Sequence, residues 1–184
     1  MRIIGGKYKS RVLSGFLGDD VRPTSDRARE ALLNILYPKV IGARVLDLFA
    51  GSGAVGIECL SRGAKEVVFN DYAKDSLAIL RKNLAALKIK ENGEETKVFH
   101  YDFSVCLNVV KGGFDIIFLD PPYRLDIGEK ALSLIVENNV LHEDGVIVYE
   151  WDKPFQGKID GLIKTDERKY GKAYFTFFKR LKGE

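Results

Sequence analysis

The chain has 184 residues, of which 46% are hydrophobic and 30% charged, with a net charge of +3. That length suits one domain with a sizeable core, and no apolar run approaches the ~20 residues needed to span a bilayer. The amino terminus, Met1-Arg2-Ile3-Ile4-Gly5-Gly6-Lys7, lacks the apolar stretch of a signal peptide, so a cytoplasmic protein with no membrane association is expected. Cys59 and Cys106 sit in apolar surroundings without metal-ligand spacing and read as core thiols, and His100 and His142 are isolated, so no metal is expected.

Residues 1–21 read as a basic amino-terminal extension: two short strand-like pieces, Arg2-Ile3-Ile4 and Arg11-Val12-Leu13, separated by Gly5-Gly6. Arg2, Lys7, Lys9 and Arg11 occur there without a single acid in the first eleven residues, and Arg22, Arg27 and Arg29 follow soon after. A basic arm on a nearly balanced body suggests a polyanionic partner. The main domain is expected over 22–184. Thr24, Ser25 or Asp26 can cap a helix over about 26–37, with Ala28, Ala31, Leu32, Ile35 and Leu36 as its apolar stripe and Arg27, Arg29 and Glu30 off it.

From Ala43 onward, strand and helix alternate, the mark of a parallel sheet. Strands are expected over 45–49, 66–71, 98–101, 114–119 and 146–151, with helices over about 54–62, 73–88, 103–110 and 126–138 between them. The tail reads as an antiparallel hairpin, 163–167 and 173–179, turning at Gly171-Lys172. The fold class is therefore α/β: a Rossmann-like, doubly wound, mostly parallel sheet of seven strands with a C-terminal antiparallel hairpin.

Two stretches carry chemistry. Asp120-Pro121-Pro122-Tyr123 follows the apolar run 114–119, and two prolines that cannot donate ladder hydrogen bonds must stop that strand. The chain thus presents a carboxylate, a backbone carbonyl and an aromatic ring at a strand's carboxyl end, where open α/β sheets bind ligands. Together these groups can hold a planar amino group by its two hydrogens while a ring stacks on the base that carries it. A loop that merely ends a strand and caps a helix is the plainer account of the same four residues.

The second stretch, Gly51-Ser52-Gly53-Ala54-Val55-Gly56, fits G-x-G-x-x-G, with Asp71 twenty residues after Gly51. A nicotinamide dinucleotide is one reading, but Asp47 at the end of the first strand would repel a pyrophosphate. A sulfonium with an amino-acid tail, as in S-adenosylmethionine, would favour that charge. Asp102, after the third strand, can accept from an adenine amine. Asp47, Asp71, Asp102 and Asp120 fall at four successive strand ends, and this regularity argues against chance helix caps.

At this point the chain resembles the bacterial class I, S-adenosylmethionine-dependent 16S rRNA (guanine-N2) methyltransferases. The resemblance rests on Arg2-Ile3-Ile4-Gly5-Gly6, the block from Arg22 to Leu32, Val45 to Gly53, Asp120-Pro121-Pro122-Tyr123, and Lys169-Tyr170-Gly171. It implies methyl transfer from S-adenosylmethionine to a guanine N2 of small-subunit rRNA by a monomer. It makes Asp120, Pro121, Pro122 and Tyr123 the catalytic set. Asp47, Phe49, Gly51, Gly53, Asp71, Tyr72 and Asp102 become the cofactor set, and Lys7, Lys9, Arg11, Arg22 and Arg27 the candidates for RNA phosphates. The family usually carries Glu where this chain has Asp71. Rival readings are a DNA adenine-N6 methyltransferase, for which no target-recognition segment is apparent, and a non-catalytic RNA-binding module with the same fold.

Overall fold

Each apolar run that ends in a polar residue at the carboxyl edge forms a parallel strand: β1 (Arg44–Asp47), β2 (Glu66–Asn70), β3 (Thr96–Phe99), β4 (Phe114–Leu119) and β5 (Leu141–Trp151). The computed structural model describes residues 1–16, 26–122 and 126–181. Arg22, Thr24, Ser25 and Tyr123 lie outside the described residues. Between the strands run α2 (Ala54–Ser61), α3 (Lys74–Ala86), α4 (Phe103–Val109) and α5 (Ile127–Glu137), and α1 (Asp26–Leu36) precedes β1. The hairpin β6 (Leu162–Tyr170) and β7 (Ala173–Arg180) completes a seven-stranded sheet ordered β3-β2-β1-β4-β5-β7-β6, with β7 antiparallel to both its neighbours. Among the described residues, no helix is long and apolar enough to cross a membrane.

The strands alternate residues between two faces, and both faces are covered. Val45, Val67, Phe69, Ile116, Phe118, Val148 and Phe175 pack with residues of α1, α2 and α3. Leu46, Val68, Ile117, Leu119, Ile147 and Tyr149 pack with residues of α4 and α5. The sheet order reverses between β1 and β4, since β2 and β3 extend one way from β1 and β4 and β5 the other. In such sheets that reversal opens a crevice at the carboxyl ends, and β1 and β4 end in Asp47 and at Asp120.

Three expectations from periodicity are corrected. On α1 the buried residues are Ala28, Arg29, Leu32, Leu33 and Leu36, whereas Ile35 is exposed. Arg29 was expected on the solvent side and is buried, because the amino-terminal segment crosses that face of the helix and supplies partners for it. The third strand begins at Thr96, two residues early, since Thr96 is buried and its hydroxyl donates to the Lys90 carbonyl at 2.6 Å. The fifth strand begins at Leu141, because Leu141 pairs with Phe114 across a register shift.

Residues 1–16 are bound to the body by specific hydrogen bonds. Arg2 and Val12 form an antiparallel bridge around a turn of 3-10 helix, Gly6–Tyr8. The buried Glu58 on α2 accepts from the backbone N–H of Ile4 at 2.9 Å and of Gly5 at 2.7 Å. Gly6 lies at φ +75°, and a Cβ there would stand 1.7 Å from the Ser61 carbonyl oxygen, so the close approach requires glycine. Further along, Ser14 and Asn83 exchange two hydrogen bonds, at 2.8 and 3.0 Å, which ties the end of the segment to α3.

Candidate functional site

β1, β4 and β5 run side by side in a register that opposes Asp47 to Phe118 and Leu119 to Tyr149. Asp47 and the residues just beyond these pairs, Asp120 and Glu150, therefore gather at one end of the sheet. All three line a cavity of about 110 Å³ that is also bounded by Phe49, Gly51, Ser52, Arg29 and Phe16. Glu150 was not anticipated. It sits inside a long apolar strand, and its relevance comes only from β5 lying next to β4.

Asp47 is 5% exposed and accepts from the Gly56 N–H at 3.0 Å. Burial raises its pKa to about 7 against the lowering effect of the Gly56 hydrogen bond, with a smaller rise from the charge of Asp71. Asp120 is accessible to solvent but ringed by protein, and its pKa is raised by desolvation first, then by Glu150 and Asp47. Water entering the open side of the cavity moderates that rise. The cavity thus concentrates carboxylates whose charge is relieved either by protons or by a cation. An organic cation is one ligand that such carboxylates suit.

The glycine turn approaches from β1. Gly51 and Gly53 have φ values of +54° and +78°, and Gly51 donates its N–H to Asp71 Oδ2 at 2.8 Å. A Cβ on Gly53 would meet Leu80 Cδ1 at 2.2 Å, and one on Gly56 would meet the Phe69 ring at 2.3 Å. The first two glycines keep the turn bare of side chains, and the third lets α2 pack against β2. These features, with the carboxylates of Asp47 and Asp120, fit the positively charged sulfonium and ammonium of S-adenosylmethionine better than a pyrophosphate.

The remaining residues of the set divide. In sheet order, the four acids run Asp102, Asp71, Asp47, Asp120 along the carboxyl edge, and only the last two line the cavity with Glu150. The regular placement argued against helix caps as the account of all four acids, yet two of them do serve helix starts. Asp102 caps α4, with Oδ1 accepting from Ser104 N at 2.9 Å and from its hydroxyl at 2.6 Å, and Asp71 Oδ1 accepts from Ala73 N at 2.8 Å where α3 begins. Both remain on the edge, beside the glycine turn in the case of Asp71. Phe49 is half-buried, 5.9 Å from the Phe103 ring, and Tyr72 is 75% exposed next to Asp71. Asn70 was not anticipated either. Buried, it donates to the carbonyls of Leu48 and Tyr101 at 3.1 Å and so joins the ends of β1 and β3.

Pro121 is buried and Pro122 exposed immediately after Asp120. Of the basic candidates, Lys7, Lys9, Arg11 and Arg27 are all exposed, and Lys7 forms a surface ion pair with Glu95 at 3.0 Å.

Asp47 makes a pH prediction. Because its folded pKa lies above the unfolded value of 3.8, the native chain keeps a proton that the unfolded chain has released between about pH 4 and pH 7. Its contribution to stability therefore declines as pH rises through that window and stays low above it. The rise of roughly three units sets a ceiling of about 4 kcal/mol. Asp47→Asn removes that penalty but buries an NH₂ group, which costs about 1–3 kcal/mol if unpaired. We expect urea unfolding at pH 8 to show Asp47→Asn more stable by about 1–2 kcal/mol, with the advantage gone at pH 4. An advantage that is the same at both pH values would disprove the buried-charge account.

The family model described as Conserved hypothetical protein 95 matches residues 1–179. Ribosomal RNA small subunit methyltransferase D of Haemophilus influenzae is 39% identical over 155 residues, covering 83% of this chain and 79% of that protein. A Bacillus subtilis protein provisionally named rRNA methyltransferase YlbH is 36% identical over 185 residues, covering 98% of this chain and 99% of its own. Among solved structures, an Escherichia coli chain provisionally named methyltransferase yhhF superposes with a TM-score of 0.84 at 31% identity, covering 98% of this chain and 97% of that one. The fold is the α/β fold of class I methyltransferases.

Proposed function

This chain belongs to the Conserved hypothetical protein 95 family, and from that premise we infer that it is an S-adenosylmethionine-dependent methyltransferase acting on the exocyclic N2 of a guanine in small-subunit rRNA. The observation that carries the reading is the cavity where Asp47, the glycine turn and Asp120 meet. It joins a pocket suited to an organic cation with the Asp120 carboxylate, which is suited to an amine and is followed directly by Pro121. The rRNA substrate is supported by the relatives named ribosomal RNA small subunit methyltransferase D.

S-adenosylmethionine, when bound, supplies the activated methyl group. The residues of the chain do the rest. A guanine N2 amine is a weak nucleophile because its lone pair is delocalised into the ring. Asp120 and the Pro121 carbonyl each accept one amine hydrogen, which draws the nitrogen toward tetrahedral geometry and aims its lone pair. Positive charge grows on that nitrogen in the transition state, and Asp120 stabilises it more there than in the ground state. Holding the two reactants in line contributes up to about 7–11 kcal/mol by proximity. The methylated amine then loses its proton to Asp120 or water. A target base must be unpaired or flipped out to reach this edge, and the exposed Lys9, Arg11 and Arg27 are suited to phosphate contacts.

The test is transfer of labelled methyl to unmethylated small-subunit particles, naked 16S rRNA and DNA in parallel, followed by nucleoside identification. N2-methylguanosine from particles or rRNA is expected. Methyladenine in DNA, or no transfer to any of the three, would overturn the assignment.

A further inference from the structure

Arg29 lines the cavity between β1, β4 and β5 and is the only cationic side chain among its described lining residues. It is 1% exposed. One guanidinium nitrogen is fully used: Nη2 donates to the Arg2 carbonyl at 2.5 Å and to Asp26 Oδ1 at 2.9 Å. Nε lies 3.9 Å from Glu58 Oε2, close enough for attraction but too far for a hydrogen bond, and Nη1 has no partner among the described residues. Buried donors are almost always paired, and an orphan on a buried cation in a native fold requires an explanation.

The explanation lies in the company Arg29 keeps. Asp47, Asp120 and Glu150 share its cavity and favour a ligand with positive charge. An amino-acid tail is zwitterionic, however, and its carboxylate would be repelled by those three side chains. A guanidinium with a free nitrogen meets that need, and Arg is suited to it by charge and by its fixed array of donors. We propose that Arg29, through Nη1, binds the α-carboxylate of S-adenosylmethionine and so fixes the amino-acid end of the cofactor beneath the amino-terminal segment. The proposal rests on the cofactor reading above. It also couples that segment to binding, since Nη2 of the same guanidinium holds the Arg2 carbonyl.

Calorimetry with three ligands on the full chain tests it: S-adenosylhomocysteine, its decarboxylated analogue, and methylthioadenosine, which lacks the amino-acid tail. In the unaltered protein, loss of the carboxylate is expected to weaken binding about 10- to 100-fold, the size of a hydrogen bond between charged groups. In Arg29→Met the same truncation is expected to change affinity little, and methylthioadenosine to bind both proteins alike. An equal truncation penalty in both proteins would overturn the role of Arg29 while leaving the cofactor reading intact. Absence of binding by all three ligands to the unaltered protein would overturn the cofactor reading itself. Because Arg29 also holds Arg2 and Asp26, a second measurement avoids mutation: the side-chain nitrogen resonances of Arg29 in labelled, unaltered protein. They are expected to move with S-adenosylhomocysteine and not with the decarboxylated analogue, and identical spectra would refute the proposal.

Discussion

Asp120→Ala is expected to lower the rate of methyl transfer by about 10³-fold or more while S-adenosylhomocysteine still binds. The magnitude follows from what the carboxylate does: it accepts an amine hydrogen and faces charge that develops only in the transition state, and single groups of this kind are worth about 10²–10⁴ in rate. Asp120→Asn should fall nearly as far, because the amide is isosteric but turns a donor toward the amine. Folding should not suffer in either variant. Asp120 is accessible at the mouth of the cavity, and the surrounding protein, then Glu150 and Asp47, raise its pKa, so its removal relieves like-charge repulsion instead of breaking a bond. Single-turnover transfer and calorimetry on the same preparation separate the outcomes. Retention of more than a tenth of the rate would remove Asp120 from the reaction, and loss of ligand binding would move it to the cofactor set.

Glu58→Ala is expected to cost about 3–5 kcal/mol of stability, the range for removing one partner of a buried charge network. Glu58 is fully buried in the middle of α2 and accepts from Ile4 N, Gly5 N and, at 3.1 Å, from Arg62 Nε, with Arg29 beside it. The alanine leaves two backbone N–H groups unpaired and Arg29 without its nearest anion on that side. For a domain of this size the melting temperature should drop by roughly 10 °C, and protease should cut within residues 1–16 before the body unfolds. Glu58→Gln should fall between, since the amide retains one acceptor but no charge. A change under about 1 kcal/mol, measured by urea denaturation, would falsify the view of Glu58 as the anchor of the amino-terminal segment.

These two residues differ in how readable they were. Asp120 is conspicuous because strong local signals surround it: an apolar run, an acid and two prolines leave a strand end as the natural outcome. Glu58 lies in Ala54-Val55-Gly56-Ile57-Glu58-Cys59-Leu60, where a lone acid in an apolar helix carries no mark of its partners. Arg29 misled for a related reason. Helical spacing put it among polar neighbours on α1, yet a segment from the other end of the sequence's basic extension covers that face. Glu150 was hidden inside a strand whose neighbour could not be read from the chain.

The sequence by itself determined what depends on near neighbours along the chain. Alternating strand and helix patterns, the strand-ending prolines, the glycine turn and the final hairpin all arise from local sterics and period, and all appear in the structure close to their expected positions. Tertiary structure alone decided which acids share a site. The order β3-β2-β1-β4-β5 puts Asp47 beside Asp120 and brings Glu150 to them, while Asp71 and Asp102 lie further along the edge and spend oxygens on the starts of α3 and α4. Periodicity reports that a face is buried but not what buries it, so the contacts of Arg29 with Arg2, of Glu58 with Ile4 and Gly5, and the approach of Glu150 to Asp120 were set by packing between segments tens of residues apart.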